Sequence, residues 1–204
     1  VLKQAQIGQG MLDFGALEKP QASIHPVGQP GIEERRFEHP ALCVAAVEQG
    51  HFAAHRDMAA QDLDLVLFVG DYIYESSNKQ YKIRAHESGM PTTLDAYRAR
   101  HAHYKSDPDL QACHAAHPWL MTWDDHEVQN DYAGEQQGNS GYASPAVDFA
   151  IRRAAAYQAW YEHMPVRRTM LPFGPYLQIY TRLAYGDLVS FNLLDDRQYR
   201  SPQP

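Results

Sequence analysis

Leu63-Asp64-Leu65-Val66-Leu67-Phe68-Val69 is a nearly continuous apolar run that ends on Gly70-Asp71. It is too short for an ordinary helix and rich in branched residues. That predicts a buried strand of the kind found in parallel sheets. Gly70 permits a sharp exit. A second run, Trp119-Leu120-Met121-Thr122-Trp123, ends on Asp124-Asp125-His126-Glu127. Two such strands in one sheet would bring both acidic segments to its carboxyl edge, where open α/β sheets bind ligands.

The rest of the chain reads around these two strands. Residues 1–40 hold Pro20, Pro26, Pro30 and Pro40 among five glycines and show no periodicity, so an irregular lead-in is expected there. The domain proper is expected over 41–204, with a short strand at Ala41 to Val47 and a helix from Gln49 to Gln61. Residues 76–91 read as a polar loop. Thr92 or Thr93 can cap a helix from Leu94 to Tyr104, and Ser106 can cap a second one that stops before Pro118. Residues 133–145 read as a loop. Val147 to His163 is the clearest helix, with Arg152 and Arg153 expected on a charged outer face. Leu177 to Ala184 and Leu188 to Leu194 alternate as an antiparallel hairpin around Tyr185-Gly186-Asp187. Strands interleaved with helices predict α/β, with antiparallel strands at one side.

Composition narrows the function classes. The 204 residues are 44% hydrophobic, enough for one well-buried domain. The net charge of −7 argues against a broad nucleic-acid or anionic-membrane surface. An acidic protein acting on phosphate esters must supply positive charge locally, and a metal ion is the usual source. Cys43 and Cys113 are too few for a disulfide framework, and no apolar stretch reaches membrane-spanning length. The missing initiator Met and the abrupt ending suggest a piece of a longer chain, and no targeting segment is visible.

The chemistry sits in the two acidic segments. Asp71 offers a carboxylate that can bridge two cations. Tyr74, three residues on, can swing back to the same centre, and a phenolate favours ferric iron. The competing reading makes Asp71 a cap and packs both tyrosines. In the second segment, adjacent carboxylates repel unless a cation or an arginine lies between them. An exposed acidic turn is the alternative there, although Trp119 to Trp123 argues for burial. Asn130 and Asp131 could add oxygen ligands or shape the turn, the latter being expected. A dinuclear site would acidify a bound water near neutral pH and neutralise phosphate oxygens. His126 suits protonation of the leaving alkoxide or a hydrogen bond to the phosphoryl oxygen. No serine–histidine–acid set or phosphate-cradling glycine loop stands out.

From Glu48 to Arg200 the chain resembles the PhoD-like alkaline phosphatase and phosphodiesterase family of metallophosphatases. The resemblance is carried, in order, by Glu48-Gln49-Gly50-His51-Phe52, Asp62-Leu63-Asp64-Leu65-Val66 and Gly70-Asp71-Tyr72-Ile73-Tyr74-Glu75. It continues through Tyr104-Lys105-Ser106-Asp107-Pro108-Asp109-Leu110-Gln111, Trp123-Asp124-Asp125-His126-Glu127-Val128, Arg153-Ala154-Ala155-Ala156-Tyr157-Gln158-Ala159 and Asp196-Arg197-Gln198-Tyr199-Arg200. It implies a metallophosphatase β-sandwich flanked by helices, incomplete in this chain. It implies a periplasmic or secreted enzyme that hydrolyses small-molecule phosphate mono- or diesters with metal-bound hydroxide, using ferric iron and calcium. By that resemblance Asp71 bridges the metals, Tyr74 and Cys43 bind iron, Asp125 is a metal ligand and His126 works on the phosphate side.

The chain departs from the family pattern in three places. Leu42-Cys43-Val44 stands where Ser-Cys-Gln is usual, residues 1–40 do not follow the pattern, and the later Gly-Asp-x-His type motif is absent. The last departure keeps a second reading open, a non-catalytic fragment or pseudoenzyme of the same family. A calcium-binding module built on Asp124 to Asp131 is a third, although that run lacks EF-hand spacing.

Overall fold

The computed structural model describes residues 50–77, 83–86, 88–138, 147–187 and 189–202. Its elements, in chain order, are α1 (Ala53–Ala59), β1 (Val66–Val69), α2 (Leu94–Lys105), α3 (Pro108–Ala116), β2 (Trp119–Thr122), α4 (Phe149–His163), a short 3-10 turn (Arg168–Met170), β3 (Thr181–Tyr185) and β4 (Val189–Leu193). The fold is α/β. The expected lead-in over 1–40 and the strand at Ala41 to Val47 lie outside the described residues.

β1 and β2 pair in parallel, with Val66 opposite Trp119 and Val69 opposite Thr122. A parallel pair cannot close through a tight turn. The polypeptide between them therefore crosses over through α2 and α3. Alternation along each strand buries Val66 and Phe68 on β1 and Trp119 and Met121 on β2. α1 packs on α3 and α2 on α4, so the short sheet is built into a helical layer. The aromatic centre of the core lies just beyond β2. There Trp123 stacks on Tyr157 of α4 at 4.2 Å and meets Trp160 edge-on at 5.2 Å. β3 and β4 form the expected antiparallel hairpin, with Thr181 opposite Leu193, as a separate two-stranded sheet among the described residues.

Local chemistry explains where helix bounds differ from expectation. Thr93 caps α2 by accepting from Ala96 N, as expected. α3 is capped by Asp107, not Ser106. The Asp107 carboxylate accepts from Asp109 N and Leu110 N, while Ser106 closes the end of α2. A carboxylate there also complements the helix dipole, and Pro108 fits the first turn. α1 begins at Ala53 rather than Gln49, behind Gly50 at a φ of 153° and Phe52 at a non-helical ψ of 61°.

Arg152 and Arg153 are buried rather than on an outer face. Arg152 Nε donates to the Tyr97 hydroxyl at 2.9 Å, and that hydroxyl donates to Val128 O at 2.6 Å. Arg153 Nη1 donates to Gly134 O. A guanidinium tolerates burial when its fork meets fixed acceptors. These two tie α4 to the loop that follows the second acidic segment.

Histidines in this core make the fold sensitive to acid. His55 lies between Phe52 and the Trp119 ring, and both of its ring nitrogens are buried without hydrogen-bond partners among the described residues. Burial lowers its pKa to about 4, against the pull of Asp107 and Asp109. His101, stacked on His163 at 5.0 Å, is lowered well below its ordinary value, chiefly by burial. The folded state holds these rings neutral, whereas the unfolded chain protonates them near pH 6.5. Their contribution is therefore complete above pH 6.5 and is lost as pH falls towards 4. For His55 alone the loss approaches roughly 3 kcal/mol, at about 1.4 kcal/mol per pKa unit. Urea titrations at stepped pH should show this slope, and His55→Leu should flatten it. An unchanged acid limb in that variant would contradict the assignment.

Candidate metal centre

The two acidic segments meet because β1 and β2 are parallel neighbours and end at the same edge. Gly70 leaves β1 with φ of 109°, and a Cβ there would run into Asp124 and lie 2.8 Å from the Trp123 carbonyl carbon. Only glycine allows the two tips to come this close. Asp71 then takes a left-handed φ of 57°, an uncommon state for a residue with a side chain.

Glu127 fastens the tips together. Its buried carboxylate accepts from Tyr72 N at 2.6 Å and Asp71 N at 3.2 Å on one side, and from Asp124 N at 2.9 Å on the other. Burial first, then repulsion from Asp71, push its pKa above the ordinary carboxylate value, while the backbone amides of Tyr72 and Asp124 pull it down and favour the ionised form.

At the mouth of this junction Asp71, Asp125 and His126 each offer one ligand atom, and these atoms lie within 4.8 Å of one another. Asp71 and Asp125 are buried. Asp71 Oδ2 accepts from the Tyr74 hydroxyl at 3.0 Å, while its Oδ1 is buried with no hydrogen-bond partner among the described residues. Burial drives Asp71 up to about 6; Asp124 and Asp125 add to that, while His126 and Tyr74 oppose it. Asp125 is also raised, again first by burial. Its Oδ2 accepts from Asp131 N at 2.6 Å.

His126 is held from behind. Its Nδ1 donates to Glu75 Oε2 at 2.7 Å, and Glu75 Oε1 accepts from Asn130 N at 2.9 Å. Burial lowers the imidazole, but the bond and charge of Glu75, with Asp71 and Asp125, overcome it and raise the pKa to about 9. The Tyr74 ring packs on His126 at 4.2 Å. The Tyr74 hydroxyl is pushed well above its ordinary value, by burial first and then by Asp71, so it stands here as a phenol.

The structure thus brings together Asp71, Asp125 and His126 and sets Tyr74 against two of them. Cys43 lies outside the described residues. Asn130 and Asp131 shape the turn, with Asp131 at φ of 60°. Three contributors were not singled out as site residues from sequence: Glu75, Glu127 and Arg197. Glu75 and Glu127 stand within the motif runs, but apart from Asp124 N, three residues from Glu127, these partners lie 51 to 56 residues away. Arg197 supplies the cation that adjacent carboxylates demand. Its Nε donates to Asp124 Oδ1 at 2.5 Å, and its Nη2 lies 3.6 Å from Asp125 Oδ2.

Buried hard oxygens, an imidazole and an unpartnered carboxylate oxygen make a donor set that fits a hard or borderline cation. Comparisons with known proteins bear on the family. The PhoD-like phosphatase family matches residues 39–204. Alkaline phosphatase D of Bacillus subtilis (strain 168) is 51% identical over 193 residues, covering 88% of this chain and 32% of that protein. The solved structure of PhoD superposes with a TM-score of 0.70 at 48% identity, covering 78% of this chain and 31% of that one. The chain therefore spans about a third of the length of the relatives it matches. Match and geometry together lead to one conclusion: this chain belongs to the PhoD-like phosphatase family.

Proposed function

We propose that this chain carries part of the active site of a metal-dependent phosphoesterase that hydrolyses small-molecule phosphate mono- or diesters. The observation that carries this reading is the buried Asp71 Oδ1, which has no hydrogen-bond partner among the described residues, in a cluster with Asp125 and His126. An orphaned buried carboxylate oxygen is costly unless something else occupies it. A cation is the fitting occupant. Asp71 and Asp125 would hold it, with Tyr74 able to join as a phenolate if a ferric ion displaced its proton. Ferric iron and calcium are the proposed metals, and Cys43 a further iron ligand. A bound cation would acidify water and neutralise phosphate oxygens.

The chain's own groups supply the rest. Glu75 fixes the His126 ring and keeps Nδ1 protonated, leaving Nε2 as the nitrogen free for substrate. His126, held by Glu75 beside the two carboxylates, is placed to pass a proton to the departing oxygen. Glu127 and Gly70 keep the two carboxylates in register. A periplasmic or secreted location belongs to the same reading. Among the described residues no helix is long and apolar enough to cross a membrane.

The test is metal content together with turnover of p-nitrophenyl phosphate and bis-p-nitrophenyl phosphate by the full chain. Bound iron with a visible phenolate charge-transfer band lost in Tyr74→Phe, and chelator-sensitive turnover, are expected. Colourless, metal-free and inactive protein would instead mark a non-catalytic member of the family.

A further inference from the structure

Asp124 and Asp125 are adjacent in sequence, yet only Asp125 belongs to the ligand cluster. The cause lies beyond the hairpin. Arg197 is buried, and its backbone is fixed at both ends: its N–H donates to Asp195 Oδ1 at 3.0 Å and its carbonyl accepts from Gly134 N at 2.8 Å. Asp195 is itself anchored, accepting from Trp123 Nε1 at 3.2 Å and Gln198 N at 2.8 Å. The guanidinium therefore reaches the second acidic tip from a rigid base. Its Nε makes the short bond to Asp124, lies 3.9 Å from Asp196 Oδ2, and its Nη2 stands at the longer 3.6 Å from Asp125.

The geometry points to Arg197 as a positioning residue that turns the Asp124 carboxylate towards its guanidinium, so that Asp124 does not join Asp71, Asp125 and His126 as a donor. This rests on the metal reading above. A guanidinium suits the task because it is permanently charged and its fork holds a carboxylate in a fixed direction. The consequence is a limit on the negative charge offered to a cation. Affinity for hard cations in oxygen sites is tuned by the number of ligand charges. Arg197 thus sets the selectivity of the centre through Asp124, without touching substrate.

The experiment is calorimetric titration of the chelator-stripped full chain with calcium alone. Asp124→Asn keeps an oxygen acceptor for Arg197 and should leave calcium affinity within about twofold of the parent. Arg197→Gln releases Asp124 and should tighten calcium binding by about tenfold, and Arg197→Gln with Asp124→Asn should return it to the parent value. A purely structural role for Arg197 would not produce tighter binding, nor its reversal by a second substitution. Weakening of tenfold or more in Asp124→Asn would make Asp124 a ligand and overturn the inference. Parent-like affinity in Arg197→Gln would overturn it too while leaving the metal reading intact. No calcium or iron uptake by the parent would overturn the metal reading and this inference with it. If Arg197→Gln fails to fold, Arg197→Lys, which loses the guanidinium fork, takes its place: tighter calcium binding that Asp124→Asn reverses is expected, and parent-like affinity would overturn the inference.

Discussion

His126→Ala should lower turnover of p-nitrophenyl phosphate by about 10² to 10⁴-fold, the range for loss of a positioned general acid. The ring is positioned by contacts that do not involve substrate: the Glu75 carboxylate behind Nδ1 and the Tyr74 ring against its face. Removing it leaves Asp71 and Asp125 in place, since Glu127 holds one through its backbone and the Asp131 amide holds the other. Metal content measured alongside turnover separates two roles. Retained metal with lost turnover identifies an acid, whereas loss of both identifies a ligand, which the placement of His126 among the clustered donor atoms also allows. Activity at the parent level would remove His126 from the chemistry altogether.

Glu127→Gln should cost about 3 kcal/mol and lower the unfolding midpoint by about 6–12 °C in a chain of this size. The reason is donor–acceptor arithmetic. All three partners of Glu127 are backbone N–H groups, so both carboxylate oxygens accept. Glutamine has one acceptor oxygen, and its NH₂ would face a backbone donor in a buried place. The same substitution should weaken cation binding, because Asp71 would lose the contact that maintains its left-handed backbone. Thermal unfolding with and without added cation is the measurement. An unchanged midpoint would show that the tips are held by β1–β2 pairing alone.

Much of the architecture was legible because its causes are local. A branched apolar run that stops at Gly70, a threonine before Leu94 and a proline after Asp107 each act within a few residues. The acidic tips were legible too, as was the need for a cation beside Asp124 and Asp125. The identity of that cation was not. Arg197 lies 73 residues from Asp124, and spacing says nothing about a partner at that range. Arg152 and Arg153 misled for a related reason. A charged side chain is ordinarily placed outside, and partners remote in sequence such as the Tyr97 hydroxyl for Arg152 help make these two exceptions. Glu127 was one more acid in an acidic run until its backbone partners in the other tip were visible. The left-handed Asp71 was equally hidden, since nothing in Gly-Asp-Tyr fixes φ on its own.

The crossover through α2 and α3 has a kinetic consequence. The acidic edge does not exist until two whole helices have docked and β2 has found β1, so closing that long loop must precede any gathering of the carboxylates. Refolding chains should regain helical signal before they regain a competent centre. Substitutions in the helical crossover, remote from every ligand, would then delay the return of activity without altering its final level.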